Sequence, residues 1–315
     1  MAERGLTMTT FTDRVLPEVR YLTQPGTPLP QRIDAYPTTL HPISVELPAG
    51  TPLLEALRQV VFEQGYISAF GELRGGTFTS FDYYIPAVCQ AGTSVATFSD
   101  PLTGRSPATF MRGGLTIGLR DGEVFTHCHA QFVDADGIMR AGHLIPESVI
   151  VGPGVTADLY ASRDVAMTVL PDTEINFPVF QPQPAAPTKH AVNASGGLRS
   201  VVARVHPNVD IIEAIENLAE EHGFETAVIR GKIGSFVGAT LVQGDQVVSA
   251  PGPAVEVMYL DGGIRRDETG TIRAELTCAA AAVDGNVYSG ALVRGHNPIA
   301  MTFELALSEP AEATQ

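Results

Sequence analysis

The chain has 315 residues, of which 44% are hydrophobic and 17% charged, and its formal net charge is −15. This acidity argues against nucleic acid as a partner, because affinity for phosphates comes from Lys and Arg. The three cysteines (Cys89, Cys128 and Cys278) are far apart and form no C-x-x-C pair. Their spacing argues against a disulfide framework or a cysteine zinc site and favours a reducing compartment.

Neither a signal sequence nor a membrane span is predicted. The first residues, Met1 to Gly5, lack an apolar signal core, and no uncharged apolar run is long enough to cross a bilayer. We therefore expect a cytoplasmic protein without membrane contact.

The first domain is predicted over residues 41–178, after a proline-dotted extended arm at residues 1–40. A strand at Pro42–Leu47 precedes a helix that Thr51 caps and Pro52 opens. One apolar stripe runs along this helix, which Gly65 ends. Strands follow, interrupted by the glycine turn at Arg74 to Phe78.

The same order of elements recurs in the second half of the sequence. A Pro/Ala/Ser/Gly-rich linker is predicted at 179–197, a second domain at 198–309 and a tail at 310–315. Strand, helix, glycine turn and strands recur in the second domain. We therefore predict an α+β fold class: two tandem copies of an antiparallel β-sheet domain, each with one main helix.

The most informative stretch is Thr126-His127-Cys128-His129-Ala130, followed by Gly142-His143-Leu144. On a strand, His127 and His129 point to the same face, and Cys128 points to the other. The Asp134-Ala135-Asp136-Gly137 turn predicts a returning strand that carries His143.

The loop length decides where His143 lies. A two-residue Asp136-Gly137 loop would pair it with Ala130, on the wrong face. A three-residue loop, with Gly137 in the left-handed conformation, places it directly opposite His129.

The three-residue loop brings three imidazoles together, and three neutral imidazoles suit Zn, Cu, Fe or Ni. Three protein ligands and one open position are typical of catalytic zinc sites. His127, His129 and His143 are therefore candidate ligands of Zn²⁺ or another divalent transition metal. Ordinary, partly buried histidines that bond to backbone or solvent would give the same pattern.

The second domain keeps the hairpin without its histidines. A gapless alignment of Asp136-Gly137 with Asp284-Gly285 places Glu275, Thr277 and Ala291 at the three histidine positions. The hairpin itself therefore does not require histidine, which favours a chemical role in the first domain and predicts one metal per chain.

These motifs, in this order, resemble the plant and prokaryote conserved domain (PPC or PCC). The matching stretches are Leu53–Gly65, Ile67–Phe78, His127–Leu144, Ile211–Val242 and Asp284–Leu292. The resemblance implies a compact β-sheet domain that assembles as a trimer, with metal at the three histidines in some members. Plant members bind AT-rich DNA through a separate AT-hook, but this chain has no R-G-R-P sequence, so the resemblance is to the bacterial type.

Three further residues are candidate catalytic groups. Arg74 lies at the glycine turn and Arg112 precedes Gly113-Gly114, and a cation beside glycine backbone can hold a carboxylate or phosphate. Glu72 is a candidate general base if it reaches the metal. A solvated turn cation and a structural ion pair are the alternative roles.

Two functions remain open from the sequence. The first is a metal-dependent enzyme that acts on a small carboxylated, hence anionic, molecule by hydrolysis, hydration or C–C cleavage. The alternative is a non-catalytic trimeric binding or regulatory protein that contacts DNA or other proteins.

Overall fold

The computed structural model describes residues 15–185, the first half, and residues 196–311, the second half. Residues 312–315 of the predicted tail, residues 186–195 of the predicted linker and residues 1–14 of the predicted arm lie outside these residues. Among the described residues, neither helix has the length and apolar character needed to cross a membrane.

The first half consists mainly of strands. Its helix α1 spans Leu53–Leu57 and continues as a π-helical turn, Arg58–Phe62. Its strands are β1 Ile33–Glu46, β2 Ser68–Arg74, β3 Thr77–Tyr84, β4 Pro86–Ala87, β5 Thr97–Phe98, β6 Leu102–Thr103, β7 Ala108–Arg120, β8 Glu123–Val133, β9 Met139–Val151, β10 Thr156–Ser162, β11 Val165–Asp172 and β12 Phe177–Pro184.

The second half has the same character, with helix α2 at Ile211–Glu221. Its strands are β13 Leu198–Val205, β14 Thr226–Phe236, β15 Ala239–Gln243, β16 Gln246–Ala250, β17 Val255–Arg266, β18 Ile272–Ala281, β19 Val287–Leu292 and β20 Ile299–Ser308. Strand β1 therefore begins inside the predicted arm, and β12 occupies the start of the predicted linker.

The predicted α+β class is wrong. Strands account for 57% of the structure and helix for 7%, so the described residues form a mostly antiparallel β fold with two short helices. The apolar stripe of the first helix suggested a full-length element, but only five residues are α-helical before the π-helical turn. Each helix covers one part of a large sheet and does not form a layer of its own.

The helices differ in how they begin. The carboxylate of Asp210 accepts hydrogen bonds from the backbone N–H groups of Ile212 and Glu213 and so caps α2. No side chain caps α1, whose cap position is Pro52 instead of the predicted Thr51.

The two halves share one strand order. In the first half, neighbouring strands run β1-β10-β2-β7-β8-β9-β3. In the second half, they run β13-β20-β14-β17-β18-β19-β15. All of these pairings are antiparallel, so the repeat in the sequence has a counterpart in the topology.

Strand β1 joins the halves. Residues His41 to Glu46 pair with β10, whereas Ile33 to Leu40 pair with β13 of the other half. Each segment has its partner on one side only, and Pro37 fits there because proline lacks the N–H that an inner strand needs.

Apolar packing also spans the two halves. One buried cluster combines Phe70 and Phe180 of the first half with Val202 and Ala306 of the second. Each half has a separate core beneath its own helix. The halves therefore pack as one body, and a site can form where they meet.

Candidate metal centre

Strands β8 and β9 place the three histidines on one face of the first half. His129 pairs directly with His143, and Val133 pairs with Met139 at the end of the hairpin. Gly137 has a φ of +79° in the connecting turn, and the N–H of Asp134 donates to the carbonyl of Ile138. This is the register of the three-residue loop, so that prediction is confirmed.

The three imidazoles converge. One ligand nitrogen from each histidine lies within 4.8 Å of the others. The Nε2 atoms of His127 and His129 are 3.1 Å apart, and the rings of His127 and His143 stack with their centroids 4.9 Å apart. His129 is buried, and the other two histidines are partly buried.

The second half orients two of these rings. His127 Nδ1 donates to Glu304 Oε1 over 2.8 Å, and His129 Nδ1 donates to the backbone carbonyl of Val257 over 2.9 Å. A carboxylate or carbonyl that fixes the second ring nitrogen is the usual outer partner of a metal-binding histidine. The centre is therefore built between the halves, with imidazoles from one and their acceptors from the other.

Gly114 permits this close approach. It lies between Glu72 and His129 in the sheet, and a Cβ there would meet the carbonyl oxygen of Met258 at 3.2 Å. A side chain at this position would push β17 away from the histidines.

The hydrogen bonds fix which nitrogen carries the proton. A carbonyl and a carboxylate both accept, so in neutral rings Nδ1 is protonated and Nε2 presents its lone pair. The two Nε2 lone pairs of His127 and His129 then face each other and repel unless a proton or a metal ion lies between them. His143 Nδ1, also buried, has no hydrogen-bond partner among the described residues.

The protonation states suit metal binding. Burial, together with the positive field of neighbouring His127, holds the pKa of His129 well below its usual range. The pKa of His143 is lowered in the same way. Neutral imidazole is the form that binds a metal.

Two buried carboxyl groups lie beside the rings. Glu256 Oε1 is 3.7 Å from His129 Nε2, and burial raises the pKa of Glu256 to about 8. Among the described residues, the Oε2 atoms of Glu256 and Glu304 have no hydrogen-bond partner, and no Lys or Arg pairs with either group. A buried carboxylate normally requires a compensating cation, and this applies to Glu304, because the raised pKa of Glu256 keeps that group mostly protonated at pH 7.

These residues fit a transition metal. Two nitrogens on a tetrahedral zinc ion lie about 3.3 Å apart, since Zn–N bonds are about 2.0–2.1 Å long. The 3.1 Å separation of the two Nε2 atoms is close to that value. An imidazole-rich set with a carboxylate nearby favours zinc and similar ions over Ca²⁺ or Mg²⁺, which prefer oxygen ligands.

The histidines form one wall of a cavity of about 450 Å³, a size typical of small-molecule sites. Its other walls are mainly apolar and include Tyr84, Phe98, Phe125, Phe177 and Phe180. The ring of Phe98 packs against His143, with 4.6 Å between centroids. Arg120 and Glu147 also line the cavity as an exposed ion pair.

Glu72, Arg74 and Arg112 occupy a different place. None of them lines the cavity of the histidines. Arg112 donates to Glu72 over 2.5 Å and to Asp261 of the second half over 2.6 Å. Arg74 is half-exposed and pairs with Asp158. All three form ion pairs at the interface between the halves, and their catalytic roles stay predictions.

Glu256 and Glu304 were not singled out from the sequence. Each is one carboxylate inside an apolar strand, in Val255-Glu256-Val257 and in Phe303-Glu304-Leu305. Such an isolated charge in a buried strand is the signal that could have identified them, because it requires a partner.

The second half has no such centre. Thr277 pairs with Ala291, as His129 pairs with His143, so the gapless alignment matches the register. No histidine stands at these positions, and Glu275 is exposed. The described residues therefore contain one cluster of this kind.

Fold and site thus define a mostly antiparallel β protein with a histidine cluster at an internal interface. Residues 192–310 match the family model of the Plants and Prokaryotes Conserved (PCC) domain. The second half therefore contains a PCC domain, and this match supports a PCC-domain protein. No curated protein matches the chain in sequence.

Several solved structures resemble about half of the chain. A PPC protein from Pyrococcus horikoshii is 16% identical, covers 48% of this chain and 97% of its own, and has a TM-score of 0.38. A metal-containing protein from Archaeoglobus fulgidus is 14% identical over 53% and 99%, with a TM-score of 0.36. A Ralstonia eutropha protein, whose name proposes DNA binding, is 22% identical over 44% and 89%, with a TM-score of 0.34. Scores this low support no inference about function.

Proposed function

We propose that this protein is a metal-dependent binding protein, which holds one divalent transition metal per chain and a small molecule beside it. The observation that carries the proposal is the 3.1 Å approach of two Nε2 atoms whose Nδ1 atoms are both committed to acceptors. A cation between them removes the repulsion and also compensates the buried carboxylate of Glu304.

Each residue has a distinct role in the proposal. His127, His129 and His143 are the ligands, and Glu256 is the nearest additional donor. Glu304 and the carbonyl of Val257 keep the rings oriented and raise their basicity. When bound, the metal supplies a Lewis acid that faces the cavity.

The cavity indicates the kind of small molecule. Its walls are aromatic and aliphatic, and its arginine, Arg120, is already paired with Glu147. A carboxylate on the ligand would therefore bind at the metal instead of at Arg74 or Arg112. We propose a small acid with an apolar body, packed between Phe98, Phe177 and Phe180.

Metal-free protein provides the test. Zn²⁺ should raise the melting temperature, because a ligand of the native state stabilises it in proportion to the logarithm of its concentration. Ca²⁺ at the same concentration should not, because its preferred ligands are oxygens. Equal shifts with both ions, or none with Zn²⁺, would refute the metal site.

An enzyme is the second candidate, and the position of Glu256 favours it. This buried carboxyl group lies beside the imidazoles and lines the cavity, where it could donate or accept a proton during hydrolysis, hydration or C–C cleavage. The distinguishing experiment is product detection on apolar carboxylic acids and their esters. Turnover by the parent that Glu256→Gln abolishes without loss of metal would favour the enzyme, whereas binding without turnover would favour the binding protein.

The family resemblance adds a trimer and a regulatory role to the proposal. The first half is proposed as a second PCC domain on the basis of the shared strand order.

Contact with DNA is not part of the proposal, because the net charge is −15. Salt-sensitive retention on duplex DNA at physiological ionic strength would overturn that exclusion. A cytoplasmic location stays a prediction. The three cysteines on whose spacing it partly rests form no disulfide in the structure.

A further inference from the structure

A second cavity, of about 380 Å³, lies at the interface between the halves and away from the histidines. Strands β1, β2 and β10 line it on one side and β14 on the other. Its charged lining residues are Glu72, Arg74, Asp158, Arg230 and Lys232. It shares no lining residue with the cavity of the metal centre.

The charges around this cavity do not balance. Glu72 pairs with Arg112 and Lys232, and Asp158 pairs with Arg74. Asp261 pairs with Arg112 and Lys232 from the adjoining strand. Four cations therefore meet three carboxylates, and one positive charge is left in a protein whose net charge is −15.

The unbalanced charge is that of Arg230. Its guanidinium stacks over the ring of Tyr160, 4.2 Å from the centroid, and its Nε donates to Ser308 Oγ over 2.9 Å. No carboxylate among the described residues pairs with it. Burial lowers the pKa of Arg230, and its electrostatic interaction with Tyr160 opposes this shift only in part.

These contacts hold Arg230 in a binding-ready orientation. The ring and the hydroxyl fix the plane of the guanidinium and leave both terminal NH₂ groups without a hydrogen-bond partner in the described part of the chain. A planar fork of this kind matches the two oxygens of a carboxylate or phosphate. Lys232 and the half-exposed Arg74 line the same cavity, but each is already paired with a carboxylate, so the net positive charge is that of Arg230.

We propose that this cavity, the Arg230 cavity, binds a small molecule through a phosphate or carboxylate group held by Arg230. The neighbouring carboxylates do not oppose such a ligand, because each is already neutralised by its own cation. The site is independent of the metal centre and would exist in metal-free protein.

The test uses metal-free, full-length protein and thermal unfolding. Inorganic phosphate and succinate are titrated separately, each against sodium chloride at the same ionic strength, because screening alone stabilises an acidic protein. The variants are Arg230→Gln, Arg230→Lys and Arg265→Gln. Arg265 is the matched control, since it is an exposed arginine of the second half that pairs with Glu275.

We expect a saturable rise in melting temperature with at least one anion, in the parent and in Arg265→Gln alike. The half-saturating concentration should rise about tenfold or more in Arg230→Gln, the typical effect of losing a charge-assisted hydrogen bond. Arg230→Lys keeps the positive charge but not the planar fork, so its half-saturating concentration should lie between those of the parent and Arg230→Gln. It replaces Arg230→Gln if that variant does not fold.

Three results would overturn the proposal. The first is a melting temperature of the parent that rises no more with either anion than with sodium chloride. The second is an unchanged half-saturating concentration in Arg230→Gln. The third is a rise of the half-saturating concentration in Arg265→Gln that equals the rise in Arg230→Gln. A response to phosphate alone would assign a phosphate group to the ligand, and a response to succinate alone would assign a carboxylate.

Discussion

At the scale of single residues, the candidate centre depends on which ring nitrogen carries each proton. Two rings have Nδ1 tied to acceptors of the second half, so both direct Nε2 to one point. The buried Nδ1 of His143 lacks a partner among the described residues. The proposed metal ion would be shared among these rings.

Glu304→Gln should weaken zinc binding about tenfold to a hundredfold, the usual effect of changing an outer partner of a ligand histidine. The amide oxygen can still accept from His127 Nδ1, so the fold should persist while the negative charge is lost. Competition with a chelator measures the affinity. Glu309→Gln, which changes an exposed glutamate just after the same strand, is the control; an equal loss there would contradict the role of Glu304.

Local rules were enough to place the histidines. Strand parity puts His127 and His129 on one face, and Gly137 at positive φ sets the register of His143. Glu256 and Glu304 could not be placed in this way, because they lie more than 100 positions further along the sequence and reach the rings only through packing between the halves. The sequence associates Arg74 and Arg112 with the centre through their neighbouring glycines. In the fold, both arginines instead form ion pairs with nearby carboxylates.

At the scale of elements, the halves are joined by β1, by apolar packing and by ion pairs, among them the buried pair of Asp172 and Arg204. Asp172 at the end of β11 lies 2.6 Å from Arg204 of β13, and both side chains are almost fully buried. Arg204 also donates to Thr302. Removing one partner of such a pair leaves an uncompensated charge.

Asp172→Asn should therefore lower the free energy of unfolding by about 3–5 kcal/mol at pH 7, as measured by urea unfolding. Asp158→Asn, at a partly exposed ion pair of the first half, should cost about 1 kcal/mol or less. An equal loss for both variants would show that burial of the Asp172 pair is not what makes it stabilising.

The same pair predicts a pH dependence. Burial alone would raise the pKa of Asp172, but Arg204 and two backbone N–H groups outweigh it and lower the pKa below its usual value of 3.8. A lowered native pKa means that the contribution is complete above 3.8 and is lost as the pH falls through the native pKa. The parent and Asp172→Asn should thus converge in stability below that pH, and a constant difference down to pH 2 would contradict this.

The element pattern was partly readable from the sequence. The order of strand, helix and further strands recurs as predicted, but the glycine-rich segment of the second half lies inside β14 and forms no turn. The helix content was overestimated, because an apolar stripe of 3.6-residue period does not reveal that α1 turns into a π-helical turn after five residues. The extension of β1 to Ile33 depends on β13, a partner far along the chain.

At the scale of the whole molecule, the two halves have become unequal. The first half supplies the imidazoles, and the second supplies Glu256, Glu304 and the carbonyl of Val257. Neither half holds the centre alone, so a duplicated fold gives one site per chain. The Arg230 cavity lies at the same interface and also takes residues from both halves.

The trimer is tested by sedimentation equilibrium. Three chains of 33.4 kDa give about 100 kDa, and the measured mass should equal this value across a tenfold range of concentration. A mass of one chain throughout that range would exclude the trimer without affecting the metal centre, because the centre lies inside one chain.

The most direct measurement is elemental analysis of the purified protein without a histidine tag. The parent should carry one equivalent of a transition metal per chain, and His127→Ala/His143→Ala should carry none. A second double variant, His41→Ala/His222→Ala, removes two histidines outside the cluster and should keep the full equivalent. A parent without metal after incubation with zinc, or equal metal content in the His127/His143 variant, would contradict the metal centre.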